Sequence, residues 1–185
     1  MMQSVLSLML MLAVAMLVGC GGRSAGNDAA QLIPAVSELE NMVYLSNIAD
    51  SGFVRLVNGS YQQPVYDRAG TVLVTTLTTF RLTGHLNNIR QGAAVVLRTA
   101  GGAGSVYFDL AAVVKDTAGA RNIALASLGD RVKIRSMTMD DGTVRIQMAV
   151  HTPEDAPCCP SSEVMNVYTL RGDKLALLSS EPFEE

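Results

Sequence analysis

From Tyr44 onward the chain reads as β-structure, in short runs rich in Val, Thr, Leu and Ala set apart by Gly, Asn and Asp. The clearest alternation spans residues 131 to 150. Val132, Ile134, Val144, Ile146, Met148 and Val150 fall on one set of faces, and Arg131, Lys133, Arg135 and Arg145 on the other. A period of two is that of a strand with one side covered, and the basic set reads as a solvated sheet face, with a docking surface for an anionic partner as the alternative. Further strands are expected over Phe53–Val57, Thr71–Leu82 (one long strand or two), Gly92–Thr99, Val106–Lys115, Asn122–Ser127, Val164–Leu170 and Leu175–Leu178. Asn58-Gly59 and Asp141-Gly142 predict type I′ turns, because both residues tolerate positive φ, and Gly172-Asp173 suits a type II′ turn. Ser37-Glu38-Leu39-Glu40 fits a capping box and predicts a short helix over Leu39–Leu45, against an extended alternative. The expected fold is mainly β: antiparallel sheets in a sandwich or open barrel of eight to ten short strands, with one short helix near the N-terminus.

The first 22 residues carry no Asp, Glu, Lys or Arg. Their apolar stretch, Val5–Val18, suits the hydrophobic region of a secretory signal and falls short of the roughly 20 residues a transmembrane helix needs. It runs into Leu17-Val18-Gly19-Cys20, which resembles the lipobox of bacterial lipoproteins. The resemblance implies cleavage between Gly19 and Cys20, a diacylglycerol on the Cys20 thiol and usually an acylated new amino group. Two acyl chains anchor a protein stably where one does so only marginally. One departure is the absence of Lys or Arg in Met1–Ser4. Residue 21 is Gly where an Asp would favour inner-membrane retention, so the resemblance implies the outer membrane, facing the periplasm.

The domain plan follows. Residues 1–19 form the signal peptide, 20–37 a lipidated tether dominated by Gly, Ser, Ala and Asn, 38–180 a single β-rich domain, and 181–185 an acidic tail. Loss of the leader leaves 166 of 185 residues, a length for one domain, carrying the whole net charge of −3. Mild acidity without a basic block argues against nucleic acid as a partner. Gly101-Gly102-Ala103-Gly104 lacks a following Gly-Lys-Ser/Thr and reads as a turn, not a phosphate cradle. With two histidines, no Gly-x-Ser-x-Gly and no His-Glu-x-x-His, no catalytic constellation, cofactor or metal is indicated.

The chemically distinctive stretch is His151-Thr152-Pro153-Glu154-Asp155-Ala156-Pro157-Cys158-Cys159-Pro160, stiffened by three prolines. Three readings stand for its cysteines. Cys158 and Cys159 are candidates for a vicinal disulfide, although trans-linked neighbours lie about 3.8 Å apart and disulfides prefer about 4.4 to 6.8 Å between Cα atoms. The second reading is a pair of reduced thiols, at least one buried. The third reading is a metal site of His151, Asp155 and a thiolate, which adjacent cysteines serve poorly because their sulfurs splay apart. His151 and Asp155 are the candidate loop site.

Leu128-Gly129-Asp130-Arg131-Val132, the Cys158-Cys159-Pro160-Ser161 stretch, and Tyr168-Thr169-Leu170 with Gly172-Asp173-Lys174-Leu175 together resemble a family of secreted and lipid-anchored bacterial proteins without an established activity. The resemblance covers Leu39 to Leu178 and implies a compartment and a β-rich domain. Where such relatives carry Asp-Leu-Asn-Gly-Asp-Gly, this chain has Gly84-His85-Leu86-Asn87-Asn88-Ile89-Arg90-Gln91-Gly92, so a carboxylate calcium loop is not carried over. The expected function is a non-catalytic binding or structural module held at the membrane through its lipid, with an envelope protein or ligand as partner. The alternative is a redox or metal-dependent protein using Cys158, Cys159 and His151.

Overall fold

The structure, a computed structural model, describes residues 32–65, 71–87, 89–101 and 104–183. The leader, Gly19, Cys20 and the tether as far as residue 31 lie outside the described residues, as do Glu184 and Glu185. The described chain holds one helical turn, α1 (Val36–Leu39), and eleven strands. These are β1 (Val43–Leu45), β2 (Phe53–Arg55), β3 (Ser60–Pro64), β4 (Val72–His85), β5 (Gln91–Ala100), β6 (Val106–Asp116), β7 (Gly119–Asp130), β8 (Lys133–Asp140), β9 (Thr143–Val150), β10 (Ser162–Arg171) and β11 (Lys174–Pro182).

All pairings are antiparallel. Five strands in the order β3-β4-β5-β6-β7 form a half-barrel, four in the order β11-β10-β9-β8 form a second sheet, and β1-β2 form a small ribbon. β8 runs beside β4 and β11 beside β7, so the second sheet closes the concave side of the first. The main core lies between them, built from Val96, Leu110, Ala112, Ile146, Met148, Tyr168 and their neighbours.

A second core lies on the convex side. There α1 and the β1-β2 ribbon cover β5 and β6 with Leu39, Tyr44, Val54 and Leu56, all essentially sealed from water. Full burial of such side chains contributes about 1.5 to 3 kcal/mol each, which holds the N-terminal layer down. The Tyr44 hydroxyl donates to the Leu39 carbonyl (2.8 Å), and burial pushes its pKa up. β5 is thus sandwiched: Ala93, Val95 and Leu97 face the outer layer, while Ala94 and Val96 face the interior. This double burial explains why Ala93–Leu97 reads as an unbroken apolar run. Gly92 opens the strand against β6, where a Cβ would collide with the Val113 carbonyl oxygen and come within 2.7 Å of Leu86 Cδ1.

The turn chemistry appears where expected, with one difference of consequence. Asp141 and Gly142 take positive φ (45° and 70°) and join β8 to β9, and Gly172 (62°) opens the β10–β11 turn. Asn58 and Gly59 also take positive φ (51° and 77°) and close a tight turn through Val57 and Ser60. Beyond that bridge the flanking strands diverge: β2 pairs with β1 and β3 with β4.

Three other local expectations change. The helix spans Val36–Leu39 rather than Leu39–Leu45, because Glu38 reaches back to accept from the Ala35 N–H (2.8 Å) and starts the turn earlier. Residues 43–45 are strand β1. A bulge between Ile134 and Ser136 flips the facing of β8, so that Met137 and Met139 follow Val132 and Ile134 into the core. The last strand runs to Pro182, with Glu181 opposite Met165, so β-structure continues into the stretch read as tail.

Candidate functional site

The strands run between two ends of the body. One carries the β5–β6 and β7–β8 connections and the 151–161 loop; the other carries the β4–β5, β6–β7, β8–β9 and β10–β11 turns. The loop is pinched shut at its base, because Val150 and Ser162 are paired across β9 and β10.

Asp155 organises it. Its Oδ2 accepts from the Thr152 N–H (2.8 Å) and the Ser161 N–H (2.9 Å), drawing the loop's two halves onto one carboxylate. A side-chain hydrogen bond from Ser161, followed by the Thr152 backbone bond, pulls its pKa down to about 2. Charge-assisted bonds of this kind favour the ionised form. Two turns complete the loop: the Asp155 N–H donates to the Thr152 carbonyl (3.2 Å) and the Cys159 N–H to the Ala156 carbonyl (2.9 Å).

Cys158 and Cys159 are joined as a vicinal pair with Cα atoms 3.8 Å apart, both residues exposed at the loop's outer turn. Pro160 beside them is buried and pins the turn to the body. His151 leaves the end of β9 and turns inward. Its Nδ1 lies 4.0 Å from Asp155 Oδ2, and its Nε2 is buried with no hydrogen-bond partner among the described residues. The loop therefore brings His151 and Asp155 together and displays the sulfurs outward. Among the described residues no group of three His, Cys, Asp or Glu converges as a metal site.

At the opposite end a groove of about 470 Å³ is lined by Leu32, His85, Ile89, Arg90, Lys115, Arg121 and their neighbours. Sequence reading passed over it, because its residues come from four separated segments. One local signal was available. Asn87 stands two residues before Ile89 in a polar hairpin loop, and its Oδ1 accepts from the N–H groups of Ile89 (2.9 Å) and Arg90 (2.7 Å), an Asx turn beside which Ile89 is exposed.

Asp109 is a second feature not singled out from sequence. It sits on the face of β6 that carries Ala111 and Val113, only 4 % exposed, opposite Leu97 on β5 and Ser127 on β7. Burial pushes its pKa up to about 6. It reads as a buried acid in a structural layer.

No family model matches the chain, and no curated protein or solved structure matches it either.

Proposed function

We propose that this chain is a bacterial envelope lipoprotein, anchored through Cys20 in the outer membrane with its β-body in the periplasm, acting as a non-catalytic binding or structural module. The observation that carries this reading is Leu17-Val18-Gly19-Cys20 at the end of a charge-free apolar run of signal-peptide length. The likeness of the Cys158-Cys159-Pro160-Ser161 stretch and its companions to secreted and lipid-anchored bacterial proteins supports the same compartment. An oxidising periplasm is also where a cysteine pair persists as a disulfide. Among the described residues no helix is long and apolar enough to cross a membrane.

The test is the mass of the mature N-terminus. Signal cleavage before Cys20 with a diacylglyceryl adduct is expected, abolished by Cys20→Ser and blocked at the cleavage step by globomycin. An unmodified thiol at residue 20 overturns the reading.

A further inference from the structure

The groove at the end opposite the cysteine loop has no part in the reading above. Ile89 is 89 % exposed and stands at the tip of the β4–β5 loop. An isoleucine in that position is normally a liability, yet hydrogen bonds of the loop flank this one on both sides. Besides the two bonds to Asn87 Oδ1, the Leu86 N–H donates to the Arg90 carbonyl (2.8 Å), the Asn87 amide donates to the Leu170 carbonyl (3.2 Å), and Leu86 is buried beneath. The loop thus presents one exposed apolar side chain above a buried one.

Three cationic side chains line the groove with it, together with Asp116. Arg90 is exposed beside Ile89; Lys115 and Arg121 line the same groove, held by Glu38 (2.8 Å) and Asp116 (3.2 Å). Asp140 and Asp141 lie across the same end, near His85, so the basic side is one rim of it. An apolar tip beside guanidinium and ammonium groups matches the boundary of a phospholipid bilayer, where acyl chains meet phosphates.

The path of the chain points the same way. The N-terminal segment enters the packed body at Leu32, itself a groove-lining residue, and is fastened there by buried Pro34, Leu39 and the Glu38–Lys115 pair. Eleven residues lie between Cys20 and Leu32. A stretch of that length spans at most about 40 Å when fully extended and about 20 Å as a flexible coil. Leu32 lies on the rim that bears Ile89, so a stretch of this length lets that rim reach the bilayer that would hold the anchor.

We propose that this rim docks on the phospholipid bilayer that holds the anchor, with Ile89 inserted at the acyl boundary and Arg90 and Arg121 on lipid phosphates. The proposal rests on lipidation at Cys20: one isoleucine does not hold a free protein at a bilayer, whereas a short tether supplies a local concentration of about millimolar. Docking in this pose projects the Cys158–Cys159 loop away from the membrane, about 30 Å out along strands of eight to ten residues.

The chain has no Trp, so one introduced Trp reports its own surroundings. The lipidated full chain carrying Ile89→Trp is reconstituted in phosphatidylethanolamine/phosphatidylglycerol vesicles and compared with Ala156→Trp on the exposed cysteine loop. Expected for Ile89→Trp are a blue-shifted emission and quenching by brominated acyl chains; expected for Ala156→Trp is quenching by aqueous iodide alone. Iodide-only quenching at position 89, on protein whose mass shows the lipid, overturns the docking and leaves the anchor standing. A mass without lipid overturns both. Unchanged melting of the Ile89→Trp protein shows that its fold is intact.

Discussion

Asp109 offers the sharpest test of the structure, because a buried carboxyl couples stability to pH with a definite sign. No hydrogen bond reaches its side chain among the described residues, and desolvation pushes its pKa from 3.8 to about 6. Well below pH 4 the carboxyl is protonated in folded and unfolded chains alike and adds no pH dependence. Between pH 4 and 6 the unfolded chain loses its proton first, so the folded state holds more protons and stability falls as pH rises. Above pH 6 the folded protein carries the full cost of a buried charge. Each pKa unit is worth about 1.4 kcal/mol, so the rise to about 6 corresponds to about 3 kcal/mol as an upper figure. Asp109→Asn keeps the shape and removes the ionisation. Urea melts of both proteins from pH 3.5 to 8 should give a stability difference that is level below pH 4, climbs in the variant's favour through pH 4 to 6, and is level again above. At pH 7 the gain reaches up to about 3 kcal/mol, or about 6 to 12 °C in Tm for a body of this size. Other titrating groups cancel in the difference, provided they are not coupled to this site. A difference that does not vary with pH, or one that favours the wild type more as pH rises from 4 to 6, refutes the burial of an unpaired carboxylate.

Gly92→Ala should destabilise by about 1 to 3 kcal/mol, read by chemical denaturation, because its methyl group meets the Val113 carbonyl of a neighbouring strand and Leu86 of the core. The same change at Gly172, where nothing lies within 4 Å, costs only the strain of its positive φ. Asp155→Ala should speed amide hydrogen exchange at Thr152 and Ser161 and leave β9 and β10 protected, since the carboxylate ties those two N–H groups. With the Asp155 pKa lowered to about 2, its contribution is complete above pH 4 and fades as pH falls toward 2. Exchange in the loop that is unchanged by the substitution at pH 6 contradicts the staple.

Much of the body was legible before any coordinates. Strand character, turn positions and the antiparallel class follow from local rules, since a period of two and residues tolerant of positive φ act within a few positions of themselves. Asp141-Gly142 and Gly172-Asp173 behave as those rules require. The cysteine loop also stood out, because three prolines and two adjacent cysteines are unusual in any fold. What Asp155 does there was not legible: its partners, Thr152 and Ser161, are chosen by how the loop closes.

The tertiary structure alone decided the rest, and the reason is range. The β8 bulge depends on the register between two strands, so a strict alternation carried past Ile134 would have pointed Met137 outward. The divergence of β2 and β3 after a well-formed turn was settled by which sheets could cover the two faces of β5 and β6. The burial of Asp109, the groove and the display of Ile89 all arise where segments distant in the chain meet. Local chemistry determined which elements form and set the charge-free apolar run that leads into Cys20. Packing determined which faces are covered, which acid is sealed and which end of the body holds Leu32.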